Sequence, residues 1–381
     1  MKFATKLLHA GIEPDSATGA IMTPIYQTST YVQDGVGINK GYEYSRTQNP
    51  TRHALEKNLA AIEDAKYGLC FGSGLAAIDA VIKTLNPGDE VISTNDLYGG
   101  SYRIFTTIFQ KYGINFIFVD MTDISNVKKA ITKNTKIIWV ETPTNPMMSI
   151  IDVEGISKIK GNSWLAVDNT FASPFLQNPL NQGADIIMHS VTKYLGGHSD
   201  VVMGALMINN ETLAKDLYRI QNSSGAICGP QDCFLVLRGV KTLHLRMERH
   251  CSNAEKLAAF LQNHDKVNWV NYAALPDNKY NAMSQRITNG KASGVLSFGI
   301  KGGIEAGTQF IDALQMVLRL VNIGDAKSLA CHPASTTHRQ LNDEELANAG
   351  VSRDLVRISV GIENIEDIIA DISQALDKVT V

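Results

Sequence analysis

The chain has 381 residues, 44% of them hydrophobic and 19% charged, and a formal net charge of −3. That is ordinary globular composition, long enough for about two domains. The mixed charges leave out a nucleic-acid footprint, which needs a clustered basic face, and no stretch approaches the ~20 apolar residues of a membrane span.

In chain order, the opening MKFATKLLHAGIEPD carries no apolar run of signal-peptide length, and residues 1 to about 50 read as an irregular arm rich in Gly, Thr, Tyr and Pro. Alternation then sets in. TRHALEKNLAAIED (51–64) has helical spacing, YGLCF is a short buried strand, and GLAAIDAVIKTL (74–85) is a helix closed by the turn NPGD. EVIST is a strand, SYRIFTTIFQKY a helix, INFIFVD a strand, DISNVKKAI a helix and KIIWVE a strand. WLAVDN, DIIMHS and VVMGALMI are three further strands, and helices follow at about 211–223 and 230–264. The remainder has strands in VLSFGI and LVRISVG and a last helix in IEDIIADISQALDKV. The pattern predicts an α/β fold, a mostly parallel sheet flanked by helices, with a smaller C-terminal α+β domain. The expected division is an arm over 1–50, a large α/β domain over 51–245 and the smaller domain over 246–381. The five cysteines (Cys70, Cys228, Cys233, Cys251, Cys331) form no CxxC pair and no His/Cys cluster. They predict reduced thiols in a cytoplasmic protein without a metal site.

A parallel sheet binds ligands beyond the carboxyl ends of its strands. There the chain collects its unusual residues: Ser73 and Gly74, Glu141, Asp168 and Asn169, and Ser190 to Lys193. A partly desolvated lysine at a strand end can form an imine with an aldehyde, whereas most lysines are solvated surface residues. Asp168 ends an apolar strand, where a carboxylate needs a cation or donor. A protonated pyridine nitrogen is one such partner, and a helix cap or ion pair is another. Ser73 and Gly74 stand between a strand and a helix start, a geometry suited to phosphate, though without the GxGxxG or Walker spacing of nucleotide sites. Ser190 and Thr192 add hydroxyls. Tyr98, before two glycines, can stack on a flat ring or simply pack. Tyr44 and Arg46 put a phenol and a charged fork on the arm, which wants something to pack on, a neighbouring subunit being one candidate. Arg357 lies inside an apolar strand and needs an anion, either a substrate carboxylate or a structural acid. Jointly these are the requirements of pyridoxal 5′-phosphate (PLP) holding an amino acid.

The blocks TGAIMTPIYQTSTY, GYEYSRTQNPTR, SGLAAIDAV, NDLYGGSYRIF, ETPTNP, AVDNTF, HSVTKYLGGHSDVVMGA, RGVKTLHLRMERH, HPASTTH and RISVGIE stand in order along nearly the whole chain. In them the chain resembles the Cys/Met-metabolism (trans-sulfuration) PLP enzymes, most like bacterial cystathionine γ-lyase and cystathionine γ-synthase. The resemblance implies a fold-type I PLP-dependent transferase and a cytoplasmic homotetramer, a dimer of dimers with shared active sites. It also implies a small amino-acid substrate, with neither nucleic acid nor membrane as partner. By matching position, Lys193 would carry the cofactor, Asp168 would pair with its ring nitrogen and Tyr98 would stack on the ring. Tyr98 would also serve as acid/base and touch the substrate. Ser73, Gly74, Leu75, Ser190 and Thr192 would form the phosphate cradle. Tyr44 and Arg46 would reach the phosphate from the partner subunit. Asn145 would contact the ring hydroxyl or the substrate, and Arg357, Asn322 and Thr337 would bind the substrate. The implied chemistry is α,γ-elimination or γ-replacement. The stretch RLVNIGDAKSL (319–329) departs from the cystathionine enzymes, with Val321 and Lys327 where they carry glutamates. In this it is similar to O-acetylhomoserine sulfhydrylase or methionine γ-lyase, which form the alternative. Against methionine γ-lyase, Gly100 stands where that enzyme has a cysteine. A non-catalytic binding protein on the same fold is the remote alternative.

Overall fold

The computed structural model describes residues 1–336 and 351–380. Its main sheet is built from seven short strands: β1 (Tyr67–Phe71), β2 (Glu90–Thr94), β3 (Asn115–Val119), β4 (Thr135–Glu141), β5 (Trp164–Asp168), β6 (Ile186–Ser190) and β7 (Gly204–Ile208). They lie in the order β1-β7-β6-β5-β4-β2-β3. All pairings from β3 across to β6 are parallel, while β7 runs antiparallel to both β6 and β1. The near-continuous apolar character of β4 to β6 follows from burial on both faces. Ile138, Val140, Leu165, Val167 and Ile187 enter one core, and Ile137, Trp139, Ala166, Ile186 and Met188 the core on the opposite face. Among the described residues no helix is long and apolar enough to cross a membrane.

The second sheet contains β8 (Val267–Asn271), β9 (Val295–Ile300), β10 (Leu318–Arg319), β11 (Leu329–Cys331) and β12 (Leu355–Ser359), in the order β10-β11-β12-β9-β8. Apart from the parallel pair β10 and β11 it is antiparallel. One helix, Leu243–Gln262, joins the two bodies. Its early residues Leu243, Met247 and Cys251 pack into the core of the first sheet, and Ala254, Leu257, Ala258 and Leu261 into that of the second. The last helix, Ile365–Asp377, is capped by Asn364 and packs Ile368, Ile372 and Leu376 into the same second core.

Local chemistry sets the helix starts. The Asn49 side chain accepts from the amides of Thr51 and Arg52, and Pro50 occupies the first helical position of Pro50–Ile62. Asn210 caps Glu211–Ser224, which ends on Gly225 at a φ of 70°. Several expected elements differ. The arm is not wholly irregular, because Phe3–His9 is a helix. Its Leu7 is buried with Leu55 and Leu59, and Asn58 Nδ2 donates to the carbonyl of Ala10 at 2.8 Å. One buried leucine in seven residues is too weak a period to read without its partner helix. The expected helix over SYRIFTTIFQKY is an α-turn, a π-turn and a 3-10 turn in succession. The strand in VVMGALMI begins only at Gly204. The helix expected over 230–264 is interrupted by a tight turn at Val240–Thr242.

Candidate active site

The carboxyl ends of β4, β5 and β6 open into a cavity of about 550 Å³. The first sheet contributes Glu141, Asp168 and Ser190, the turn after β6 contributes Thr192 and Lys193, and the second sheet contributes Arg357 and the loop of Val321 to Ile323. The site therefore lies where the two bodies meet.

Lys193 follows β6 by three residues, and its Nζ donates to Asn322 Oδ1. Burial, then the nearby Arg357 charge, lowers the amine from 10.5 to about 8. A solvated lysine is almost wholly protonated at neutral pH, but this one is poised to attack an aldehyde. Asp168 ends β5 and is buried. Its Oδ1 accepts from the Thr170 amide at 3.1 Å and from Thr170 Oγ1 at 2.5 Å. Burial raises its carboxyl despite those bonds, and among the described residues no cation pairs with it within 4 Å. A buried acid that lacks a cation and borders a cavity suits a protonated ring nitrogen.

The turn after β1 makes a second feature. Ser73 Oγ caps the helix Gly74–Ile82 by accepting from the Ala76 amide, which leaves the amides of Gly74 and Leu75 at the open end of the helix. The approach of β7 is close enough that a Cβ on Gly204 would meet Ser73 O at 2.3 Å, and one on Gly74 would meet Met188 Cε at 3.1 Å. Side chains here would fill the cradle. Ser190 borders it. The Thr192 hydroxyl also lines the cavity but is engaged with Met203, accepting from its amide at 3.0 Å and donating to its carbonyl at 3.2 Å.

Tyr98 is 47% exposed and forms part of the wall. Its ring folds over Gly100, where a Cβ would meet Tyr98 Cε1 at 2.3 Å. Arg357 sits in mid-β12, is 6% exposed, and donates Nη1 to Asn145 Oδ1 at 2.7 Å. Among the described residues no carboxylate lies within ion-pair distance of it, so its charge faces the cavity for a ligand anion. The donor set thus fits PLP with an amino acid: an amine of lowered pKa, a buried acid and a buried guanidinium that have no ion-pair partner among the described residues, and a glycine-walled helix end.

Of the residues anticipated from sequence, Lys193, Tyr98, Asp168, Ser73, Gly74, Leu75, Ser190, Thr192, Asn145, Arg357 and Asn322 line this one cavity. Tyr44 and Arg46 do not line it. Arg46 Nη1 donates to Asn222 O at 2.6 Å, and its guanidinium lies over the Tyr44 ring at 5.4 Å. Thr337 lies outside the described residues. Sequence reasoning gave no role to Glu141, Thr170 or Arg103. Glu141 is the register partner of Asp168, is 2% exposed, and accepts from the Tyr98 amide at 2.8 Å. Its carboxyl is raised well above the usual range by burial and by Asp168. Its place at a strand end was the available signal. Arg103 brings a cation to the cavity mouth.

Comparison with known proteins agrees with this chemistry. Residues 4–377 match the family described as Cys/Met metabolism PLP-dependent enzyme. The chain belongs to that family. Its cofactor is therefore PLP, and it is an enzyme of the carbon–sulfur lyase and transferase group. A cystathionine gamma-lyase of Dictyostelium discoideum is 45% identical over 99% of this chain and 98% of its own length. A cystathionine gamma-synthase of Mycobacterium bovis is 44% identical over 98% of this chain and 96% of its own length. The crystal structure of cystathionine gamma-lyase from Lactobacillus plantarum complexed with L-serine superposes with a TM-score of 0.96 at 39% identity, over 100% of this chain and 99% of that one. The fold is thus the PLP-enzyme fold expected from sequence.

Proposed function

We propose that the chain catalyses α,γ-elimination or γ-replacement on a sulfur amino acid or an activated homoserine, with cystathionine γ-lyase or γ-synthase activity as the lead reading. What supports it most is that Lys193, Asp168 and Arg357, which has no carboxylate partner among the described residues, line one cavity in a chain of this family. When bound, PLP supplies the electron sink that makes a substrate Cα proton removable. Lys193 holds the cofactor, and its Nζ takes the Cα proton and carries protons between neighbouring carbons. With a pKa of about 8 it exists in both protonation states near neutral pH, as a proton carrier requires. Asp168 holds the ring nitrogen in its protonated form. Arg357 binds the α-carboxylate, and Asn145 aims that guanidinium. Tyr98 covers the ring and hands a proton to the leaving group. Ser73, Gly74, Leu75, Ser190 and Thr192 hold the phosphate, Thr192 after releasing Met203. Asn322 and Thr337 complete the substrate pocket.

In the same reading residues 1–50 form an arm that delivers Tyr44 and Arg46 to the partner subunit's phosphate site. The enzyme is then a cytoplasmic homotetramer, a dimer of dimers. The large domain covers 51–245 and the C-terminal domain 246–381. Both relatives named above act within this chemistry, and the Lactobacillus plantarum structure holds an amino acid.

A second reading, O-acetylhomoserine sulfhydrylase or methionine γ-lyase, is favoured by Val321. It lines the cavity where a distal ammonium would want an anion. One assay separates the two. The protein is incubated with cystathionine, methionine, cysteine, and O-acetyl- or O-succinylhomoserine plus a thiol acceptor, and kcat/KM is compared. Cysteine and 2-oxobutyrate from cystathionine, or cystathionine from an acylhomoserine and cysteine, are the expected products. Homocysteine and pyruvate from cystathionine would remove the γ-assignment. O-acetylhomoserine with sulfide outpacing cystathionine by orders of magnitude would establish the second reading.

A further inference from the structure

A group of nucleophilic side chains lies outside the active cavity, in the core between β1 and the helix Pro230–Gly239. Cys228 Sγ and Cys233 Sγ are 3.3 Å apart, and Cys70 on β1 also hydrogen-bonds Cys228. All three are buried and unbridged. Cys228 precedes Gly229, the N-cap of helix Pro230–Gly239, and Cys233 lies in the first turns of that helix.

We propose that Cys228 and Cys233 form a reversible thiol–disulfide site, with Cys228 as the thiol that attacks a hydroperoxide and Cys233 as the one that resolves it. Attack falls to Cys228 because its surroundings favour the thiolate. It stands at the amino end of a ten-residue helix, it hydrogen-bonds both of its thiol neighbours, and the buried Arg52 contributes a positive charge. Those hydrogen bonds, from Cys233 first, hold its thiol well below the usual range; the contact with Cys228 and then burial raise Cys233, while burial and then that contact raise Cys70. Resolution falls to Cys233 because its sulfur is already against that of Cys228. A disulfide needs a separation of about 2.05 Å, and the shortfall is closed from a coil position, since Cys228 lies outside the helix. A second cavity, of about 390 Å³, is walled by Asn49, Glu56, Gly68 and Leu69, and none of the three thiols lines it. Glu56 Oε1 accepts from the Cys70 amide at 3.0 Å, so a hydroperoxide reaches the buried sulfurs only through local opening of the chain between.

The chemistry balances. The Cys228 thiolate attacks the terminal oxygen of the hydroperoxide and breaks the O–O bond, and the departing alkoxide takes up the proton as an alcohol. The resulting sulfenic acid is attacked at sulfur by Cys233, which loses its proton as water departs. Two thiols are oxidised by two electrons, and one hydroperoxide is reduced to alcohol and water.

The test treats the holoenzyme with hydrogen peroxide and maps it by mass spectrometry. Cleavage after lysine and arginine places both cysteines in the peptide 220–238 and Cys70 in 67–83. The expected result is a loss of about 2 Da in peptide 220–238, restored by dithiothreitol. In C233S a dimedone-trappable sulfenic acid is expected at Cys228, whereas C228S should leave Cys233 unmodified. No mass change in wild-type protein would overturn the proposal, as would sulfinic or sulfonic acid without a disulfide. A cross-link between peptides 67–83 and 220–238 would overturn the assigned pair. The wild-type measurement decides even where a serine variant fails to fold.

Discussion

Replacing Lys193 by methionine is expected to make the cofactor-free protein more stable at neutral pH, although it abolishes catalysis. The amine is held at about 8 instead of 10.5 chiefly by burial. At ~1.4 kcal/mol per pH unit, burying the charged form costs up to about 3 kcal/mol. Between about pH 8 and 10.5 the unfolded chain binds more protons at this site than the folded one, so stability rises with pH across that window. The penalty is complete below about 8 and gone above 10.5. Methionine occupies similar space without a charge, but it forfeits the bond to Asn322 Oδ1, a loss of about 1 kcal/mol. The net expectation at pH 7 is a gain of about 2 kcal/mol for Lys193→Met, narrowing from pH 8 and reversing near pH 10, where the penalty has fallen to about the value of the lost bond. Urea unfolding midpoints of cofactor-free wild type and variant, compared at each pH, measure it, because other titrating groups cancel in the difference. A variant less stable than wild type at pH 7, or a gap that does not change with pH, would refute the reasoning. The same displacement makes the amine reactive. At pH 7.5 roughly a quarter of it is neutral with a pKa of about 8, against about one part in a thousand for an unperturbed lysine.

Four further outcomes are expected. Asp168→Asn should cut kcat by at least about 100-fold, the anion opposite the ring nitrogen being gone. It should also stabilise the cofactor-free protein at pH 8 but not at pH 3, because burial raises the native carboxyl and the cost of ionising it appears only as pH rises; steady-state kinetics and thermal melts at the two pH values check this. Arg357→Lys keeps the charge but loses the fork held by Asn145; KM for the amino acid should rise by about 10- to 100-fold with a smaller change in kcat. Gly100→Ala puts a methyl 2.3 Å from Tyr98 Cε1, so the ring must leave its place, and kcat should fall about 10-fold with the thermal midpoint nearly unchanged. Val321→Glu adds an anion to the cavity wall and should raise kcat/KM for cystathionine relative to O-acetylhomoserine by about 10-fold, read from the same assay panel.

Much of the site was legible because a parallel sheet converts local sequence into position. Asp168 and Lys193 each follow an apolar run, and runs of that kind end at one rim of the sheet, so two polar interruptions 25 residues apart could be expected to meet. Arg357 was legible as an unusual residue but not as a neighbour of Asn145, because that contact joins residues 212 apart across the two bodies. Glu141 was visible at a strand end, yet its meaning depends on register. Only the pairing of β4 with β5 sets it opposite Asp168, and only the fold of the Tyr98 turn brings an amide onto it. That arrangement also explains why the pair tolerates two buried acids. Glu141 is the more strongly raised, by burial and by the Asp168 charge despite the Tyr98 amide, which leaves ionisation to Asp168, the acid fixed by Thr170 and bordering the cavity. The thiol pair lies at the opposite limit. Cys228 and Cys233 are five residues apart, a spacing with no metal or redox signature of its own, and what distinguishes them is a helix end and a buried arginine supplied from elsewhere in the chain. A strand end can be recognised from its own residues, whereas the reactivity of a side chain depends on charges brought to it by packing, which local sequence does not carry.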